Sequence, residues 1–478
     1  MKKLYRFSAI ALLVLPLVFT SCSDYLDRDD DDNITEADVF ARYEKVNGLV
    51  SDVYAAAKKA DRPLVFFEHF SNSAITDECE GTNVEGNITN NFNNGAWNPN
   101  SLPGSVGQYW EALYEGIRKA NLIIENVQKY NTPDNPQQDG DLRNRIGEMY
   151  FMRGYFHMLL LRMYGEAPYI DRVINAGDNM DFKKESVHSM VEKIVTDAQT
   201  AYGMVPNKYV KTSENFGRVD KGACLGLISF VRWVAATPLW NGASQYGYNL
   251  RRVFENEYAY DATRWRKAKE AAKAVLDFEV GGTKRYSLYT KHDANDFKDP
   301  ADGNLNDSRV YARLWDMFYD MDAFANEYVF FMTKSKDQAW QGDIYPPSRE
   351  GSSRQQPVQE QVDEYEYIVG DYGYPVYSAE ARKGGYDDTN PYVKGTRDPR
   401  FYRDVIYHGA PYRNNKNESK TINTASGSDK IGATNATTTG YYLRKFQQES
   451  WNKSGNFSIN APAIWRLPEF IYIYAEAC

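Results

Sequence analysis

The stretch Ile146-Gly-Glu-Met-Tyr-Phe-Met-Arg-Gly-Tyr-Phe-His157, continuing through Met158-Leu-Leu-Leu-Arg-Met-Tyr164 to Gly165 and Pro168, decides the fold. Its apolar residues Ile146, Met149, Met152, Phe156, Leu159 and Met163 recur at steps of three and four, which lines them along one face of an α-helix. Gly165 and Pro168 supply the stop. The same period continues on both sides. Upstream, Val39, Tyr43, Val46, Val50, Val53 and Ala57 predict one helix, begun at Thr35 with Asp38 spaced for a capping box. A second, from about Tyr109 to Tyr130, carries Trp110, Leu113, Ile117, Ala120, Ile124 and Val127. Downstream, Val187, Met190, Ile194, Ala198, Ala201 and Val205 form a helix opened by Ser186 and closed by Pro206. Residues 218–236 and 263–278 predict two more, and the last residues begin another. The fold class is therefore mostly α.

Small residues stand where helices approach closely: Gly222, Ala223, Gly226, Ala268, Ala271, Ala272 and Ala274. With Trp110-x-x-Leu113 and Trp265-x-x-Ala268 at similar phases they fit tetratricopeptide-type helix pairs. Ordinary antiparallel helix packing explains the same residues, and the irregular period does not separate the two.

Long aperiodic segments lie between the helices, at 81–108, 281–310, 334–362 and 409–440, and such lengths point to ordered, functional insertions. Aromatics make up 14% of the 478 residues, with Tyr (37) outnumbering Phe (23). Those in helical segments, such as Tyr43, Tyr114, Tyr150, Tyr155, Tyr164, Tyr472 and Tyr474, read as scaffold packing. The informative ones stand in polar loops. A sugar ring has C–H faces and a hydroxyl rim, so its site needs an aromatic face flanked by amides or carboxylates. Trp97 with Asn98, and Trp340 with Tyr345, have that surrounding chemistry, and Asp77 and Glu78, which follow a helix-like apolar stretch, supply hydroxyl acceptors. Each tryptophan can equally serve as a buried loop anchor.

Lys2, Lys3 and Arg6 precede the apolar run Ile10 to Phe19, which is too short to span a bilayer, and Thr20-Ser21-Cys22 closes it. Residues 1–21 read as a signal peptide, Cys22 as a lipidated N-terminus, and the acidic 22–32 as a self-repelling tether. Losing the three basic residues of that leader moves the net charge from −9 to −12. An acidic chain is a poor partner for nucleic acid.

Catalytic signatures are missing: no G-x-S-x-G, Walker loop, G-x-G-x-x-G or H-E-x-x-H occurs. The five histidines stand far apart, and His157 lies within a helix where a structural role is expected. Cys79, Cys224 and Cys478 have no C-x-x-C partner, so no structural zinc site or disulfide framework is indicated, and no cofactor is implied. Asp302 to Asp307 alternates oxygen ligands, but Asp307 and Arg313 stand where an EF-hand needs Gly and Glu. A glycosidase pair can always be chosen from 65 acids, so a surface hydrolase stays open as an alternative.

Several motifs resemble, in order, those of the SusD/RagB family of Bacteroidetes outer-membrane lipoproteins: Cys22-Ser-Asp-Tyr-Leu-Asp27, Trp110-Glu-Ala-Leu-Tyr-Glu-Gly-Ile-Arg-Lys-Ala-Asn121, Gly147 to His157, and Arg162-Met-Tyr-Gly-Glu-Ala-Pro168. Gly217 to Ala223, Gln359 to Asp363, Arg397-Asp-Pro-Arg-Phe401, Thr439 to Lys445 and Arg466 to Glu476 follow in the family's order. The resemblance implies a scaffold of tetratricopeptide-like helix pairs, mainly 33–60, 109–280 and 464–478. A large loop-rich portion, mainly 61–108 and 281–463, packs on it within one domain, 33–478. It also implies a non-enzymatic, lipid-anchored, cell-surface glycan-binding protein that delivers oligosaccharide to a SusC-like TonB-dependent transporter. A peptide ligand is the family's alternative. The quoted motifs belong to the scaffold, so no ligand residue carries over, and Trp97, Asn98, Asp77, Glu78, Trp340 and Tyr345 rest on physical reasoning alone. Family members continue beyond the last helix, whereas this sequence stops at Cys478 without a cap. It is expected to be a fragment, or a truncated protein with an exposed apolar face and poor stability.

Overall fold

The computed structural model describes residues 35–60, 72–82, 88–98, 104–131, 136–209, 215–242, 258–290, 317–318, 320–332, 342–393, 395–413, 419–447 and 463–478. Cys22, the acidic tether, the Asp302 loop and Trp340 lie outside them. The scaffold helices are α1 (Glu36–Phe40), α2 (Tyr43–Ala60), α4 (Gly104–Tyr130), α5 (Pro136–Tyr164), α6 (Val187–Met204), α7 (Lys221–Ala236), α8 (Ala262–Leu276) and α9 (Leu467–Glu476), with a short α3 (Ile88–Asn93) in the first insertion.

From α4 to α9 each scaffold helix packs on the next, and α2 lies across α4 and α5. The predicted faces are the buried ones: Leu113, Ile117, Ala120, Ile124 and Val127 on α4 meet Met149, Met152, Phe156 and Leu159 on α5 in one core. Caps set the boundaries. The Ser186, Asp220 and Asp261 side chains accept from the backbone N–H groups of Ser189, Ala223 and Thr263, opening α6, α7 and α8. Thr35 and Asp38 form a reciprocal capping box. That box opens only the short α1. The helix predicted to run on from Thr35 breaks at Ala41, because the apolar phase of Val39, Tyr43 and Val46 carries across a kink that periodicity does not register. Likewise α4 begins at Gly104, ahead of the predicted Tyr109.

Buried polar groups pin the helices together. The Glu148 carboxylate of α5 is fully buried and accepts from Tyr54 Oη (2.9 Å), Tyr209 Oη (2.7 Å), Arg145 Nη1 (2.6 Å) and Arg218 Nη1 (2.8 Å). Arg153 of α5 forks onto Asp197 of α6, which also accepts from Tyr169 Oη (2.7 Å). Four donors on one carboxylate are what burying a charge requires. Gly226 lets α7 meet the last part of the chain: a Cβ there would sit 2.9 Å from Val329 Cγ1 and 3.2 Å from the Phe470 ring. Ala268 and Ala272 are buried as predicted, whereas Ala274 faces outward.

The loop-rich portion contains short antiparallel ribbons. Strand β1 (Ile75–Thr76) pairs with β2 (Cys79–Gly81), and β2 pairs with β4 (Gln355–Pro357). Strand β3 (Tyr328–Phe331) pairs with β6 (Ala463–Arg466), which brings α9 onto α8, and β5 (Tyr442–Leu443) packs against β4. A second core of Tyr345, Val362, Phe401, Ile406, Tyr412 and Tyr442 fills this portion. At its centre Arg397, almost wholly buried, donates to the carbonyls of Val362 (2.6 Å) and Tyr365 (2.7 Å).

Candidate ligand-binding site

Asp77 and Glu78 are the two-residue turn of the β1–β2 hairpin, set by the register Thr76↔Cys79. Immediately before them come a single 3-10 turn, Asn72–Ala74, and strand β1, while the apolar run Leu64 to Phe70 of the expected helix-like stretch lies outside the described residues. Local hydrogen bonds shape the turn. Thr76 Oγ1 donates to the Ser73 carbonyl (2.9 Å) and accepts from the Glu78 N–H (3.2 Å), while Ser73 Oγ donates to Glu78 Oε2 (3.0 Å). Both acidic side chains are exposed.

Helix α3 docks beside this hairpin. Its Asn93 amide donates to the Ala74 carbonyl (3.1 Å). The helix ends in a Schellman turn: Gly95 is left-handed (φ 68°), Ala96 N–H donates to Asn91 O (2.9 Å), and Gly95 N–H to Phe92 O (3.0 Å). The Asn94-Gly95 pair thus reverses the chain and lays Trp97 on Ala74, Ile75 and Ile88. Phe92, 40% exposed, meets Trp97 edge-to-face with ring centroids 4.8 Å apart. Trp97 is half-buried, anchoring the loop with part of its ring, and Asn98 beside it is exposed. One hairpin–helix unit therefore brings together Asp77, Glu78, Trp97 and Asn98, and adds Phe92. The signal for Phe92 was present, an aromatic inside Asn90-Asn-Phe-Asn-Asn94.

Tyr345 is corrected by the structure. It is fully buried, with the Arg349 guanidinium 4.9 Å from its ring centroid and Tyr412 alongside, so it has no face for a ligand. Tyr472, read as packing, is 69% exposed on α9. His157 is structural: it is fully buried, stacks on Tyr169 (3.7 Å), and bonds the Arg153 carbonyl through Nδ1 (2.8 Å). Its Nε2 accepts from the Ile170 N–H (3.0 Å), which requires the neutral Nδ1–H tautomer, and burial pushes its pKa down to about 3. Among the described residues no three His, Cys, Asp or Glu side chains converge as a metal would need, and no helix is long and apolar enough to cross a membrane.

An edge-to-face aromatic pair with exposed carboxylates and an amide in the same unit, on a layered helical scaffold, is the class of chemistry that carbohydrate-binding surfaces use. Comparison with known proteins gives the family. Residues 24–231 match a SusD-like family described as starch-binding and associating with the outer membrane, and residues 322–478 match the SusD family. The chain belongs to the SusD/RagB family. It is 24% identical over 202 residues to SusD-like protein P2 of Formosa agariphila, a match that spans 41% of this chain and 38% of that protein. Among solved structures it is similar to a SusD-like carbohydrate-binding protein of Bacteroides fragilis (TM-score 0.67, 15% identity, covering 92% of this chain and 74% of that one). It is also similar to a laminarin-binding SusD-like protein (TM-score 0.52, 16% identity, covering 91% and 80%). The fold is the mostly α, tetratricopeptide-like one of these structures.

Proposed function

We propose that this chain is a non-catalytic, lipid-anchored protein of the outer-membrane surface that captures an oligosaccharide and passes it to a SusC-like TonB-dependent transporter. The observation that carries the reading is the hairpin–helix unit, where Trp97 and Phe92 lie beside exposed Asp77, Glu78 and Asn98. Rings stack on the C–H faces of a sugar, while the carboxylates and amide accept from and donate to its hydroxyls. The family's description as starch-binding, and the laminarin-binding neighbour, support a glycan ligand.

Calorimetry against a panel of neutral and acidic oligosaccharides tests it. At least one glycan should bind, and Trp97→Ala should weaken that binding about tenfold or more, as loss of a well-placed aromatic contact does. No heat with any glycan refutes the reading. Anchoring is tested separately: Cys22→Ala should move the protein out of the membrane fraction.

A further inference from the structure

Strand β4 is buried along its whole length, yet its first two residues are glutamines, Gln355 and Gln356. A buried amide is tolerated where its hydrogen bonds are made. Gln356 makes all of them. Its Nε2 donates to Thr82 Oγ1 (3.0 Å) and to the Ser353 carbonyl, and its Oε1 accepts from the N–H (3.2 Å) and the hydroxyl (3.0 Å) of Thr438. The Ser353 carbonyl can only accept and the Thr438 N–H can only donate, so the amide fits one way round. Thr82 Oγ1 closes the set by donating to the same Ser353 carbonyl. An apolar side chain would fill this position, but an amide with every donor and acceptor used fixes a single geometry.

These partners come from separate parts of the chain. Thr82 follows β2, whose Glu80 stands opposite Gln356 in the ladder, and the Thr82 N–H donates to the Arg354 carbonyl (2.7 Å). At the other end of β2 the Glu78 carbonyl accepts from the Val358 N–H (3.3 Å), so the acidic turn hangs on the strand that carries Gln356. Thr438 belongs to the turn before β5, where Thr439 Oγ1 also donates to the Pro357 carbonyl (2.8 Å). Ser353 is wholly buried and left-handed (φ 43°), and Glu350 in the same turn is left-handed too (φ 62°). Backbone strain of this kind persists where the surroundings over-determine it. Here the strained turn presents the Ser353 carbonyl to Gln356 and Thr82.

The structure assigns to Gln356 the role of a positioning residue: it ties the Asp77–Glu78 hairpin to the Thr437–Thr439 turn, so that the two hold one relative placement. Gln356 is fully buried and offers no atom to a ligand, so it acts through β2. Three ladder pairs join β2 to β4, and so short a ladder opens readily without a side-chain tie. That the hairpin contacts a glycan rests on the glycan-binding reading; the tie itself does not.

Hydrogen exchange on the full chain tests it with two variants. Gln356→Met keeps the length and removes every bond of the amide, and Thr438→Val removes only the hydroxyl at the far end. In both, the amides of residues 72–82 should exchange faster, about tenfold for Gln356→Met, while those of α5 keep wild-type rates. A merely structural loss would speed exchange across the scaffold instead. Melting temperatures show whether each variant folds, and Thr438→Val carries the test if Gln356→Met does not. Calorimetry with maltohexaose and laminarihexaose reads the consequence for binding. Where either binds, Gln356→Met should weaken it about threefold to tenfold, and adding Glu78→Gln should cost less than the sum of the two single losses, because the first acts through the second. Hairpin exchange at the wild-type rate in either folded variant overturns the assignment, and so does a rise shared equally by α5. Strictly additive binding losses, or wild-type affinity for Gln356→Met where Trp97→Ala weakens binding, also overturn it and leave the glycan-binding reading standing. If no glycan of the wider panel binds, that reading fails and the exchange rates alone decide the tie.

Discussion

Replacing Glu148 by Gln tests the polar pin of the scaffold at nearly constant volume. In the native chain this carboxylate faces two guanidinium groups and two hydroxyls, all within 2.9 Å, and is itself fully buried. The amide accepts through one oxygen only, and its NH2 points a donor at groups that are donors themselves. Arg145 and Arg218 then lose the buried negative charge that they share. Breaking a buried pair by removing one partner costs about 3–5 kcal/mol. The Arg218 side chain retains 16% exposure and can turn toward water, which favours the lower end. At ~2.1 cal/mol/K per residue, 478 residues give an unfolding entropy near 1 kcal/mol/K, so the melting temperature should fall by about 3–5 °C. Scanning calorimetry measures this, and hydrogen exchange should show loss of protection concentrated in α2 and α5. The double variant Glu148→Gln with Arg218→Met should recover part of the loss, since it removes one of the two cations that face the amide. A fall below about 1 °C, or a double variant no better than the single, would refute the view that charge compensation holds these helices together.

Other consequences follow from single positions. A Cβ on Gly222 would lie 1.7 Å from Tyr286 Oη, so Gly222→Ala must displace a buried ring and should lower the melting temperature by about 1–3 °C, the effect of overpacking by ~1–3 kcal/mol; an unchanged melt would contradict the close approach. Tyr286→Phe removes a buried hydroxyl that has no hydrogen-bond partner among the described residues, and should leave stability unchanged or raised by chemical denaturation. Glu469 gives a pH signature. Its folded pKa, about 7, stands above the ordinary 4.5, so below pH 4.5 both states hold the proton and the group has no effect on stability. Between 4.5 and 7 the unfolded chain releases a proton that the folded chain keeps, and stability falls as pH rises, by at most ~3 kcal/mol and nearer ~1–2 with the carboxyl partly wet. Glu469→Gln should therefore match wild type at pH 4 and exceed it at pH 8; equal stability at both would show that the carboxyl is not held toward its neutral form.

The scaffold was legible in the sequence because each helix reports its own buried face. Ile117 or Phe156 needs only a neighbour of any kind, and a three-to-four step says where that neighbour lies. Caps are legible for the same local reason: Ser186 and Asp261 satisfy N–H groups two or three residues away. The break after α1 was invisible because the apolar phase continues through it. Trp97 could be singled out because a lone large ring in an Asn- and Gly-rich run has few local partners, and the Asn94-Gly95 turn that aims it is likewise local. Tyr345 has similar polar neighbours in sequence yet lies in the second core, since what covers it, Tyr412, arrives from much further along the chain. Local chemistry therefore identifies candidate aromatics, but whether a ring faces solvent or core is decided by long-range pairing.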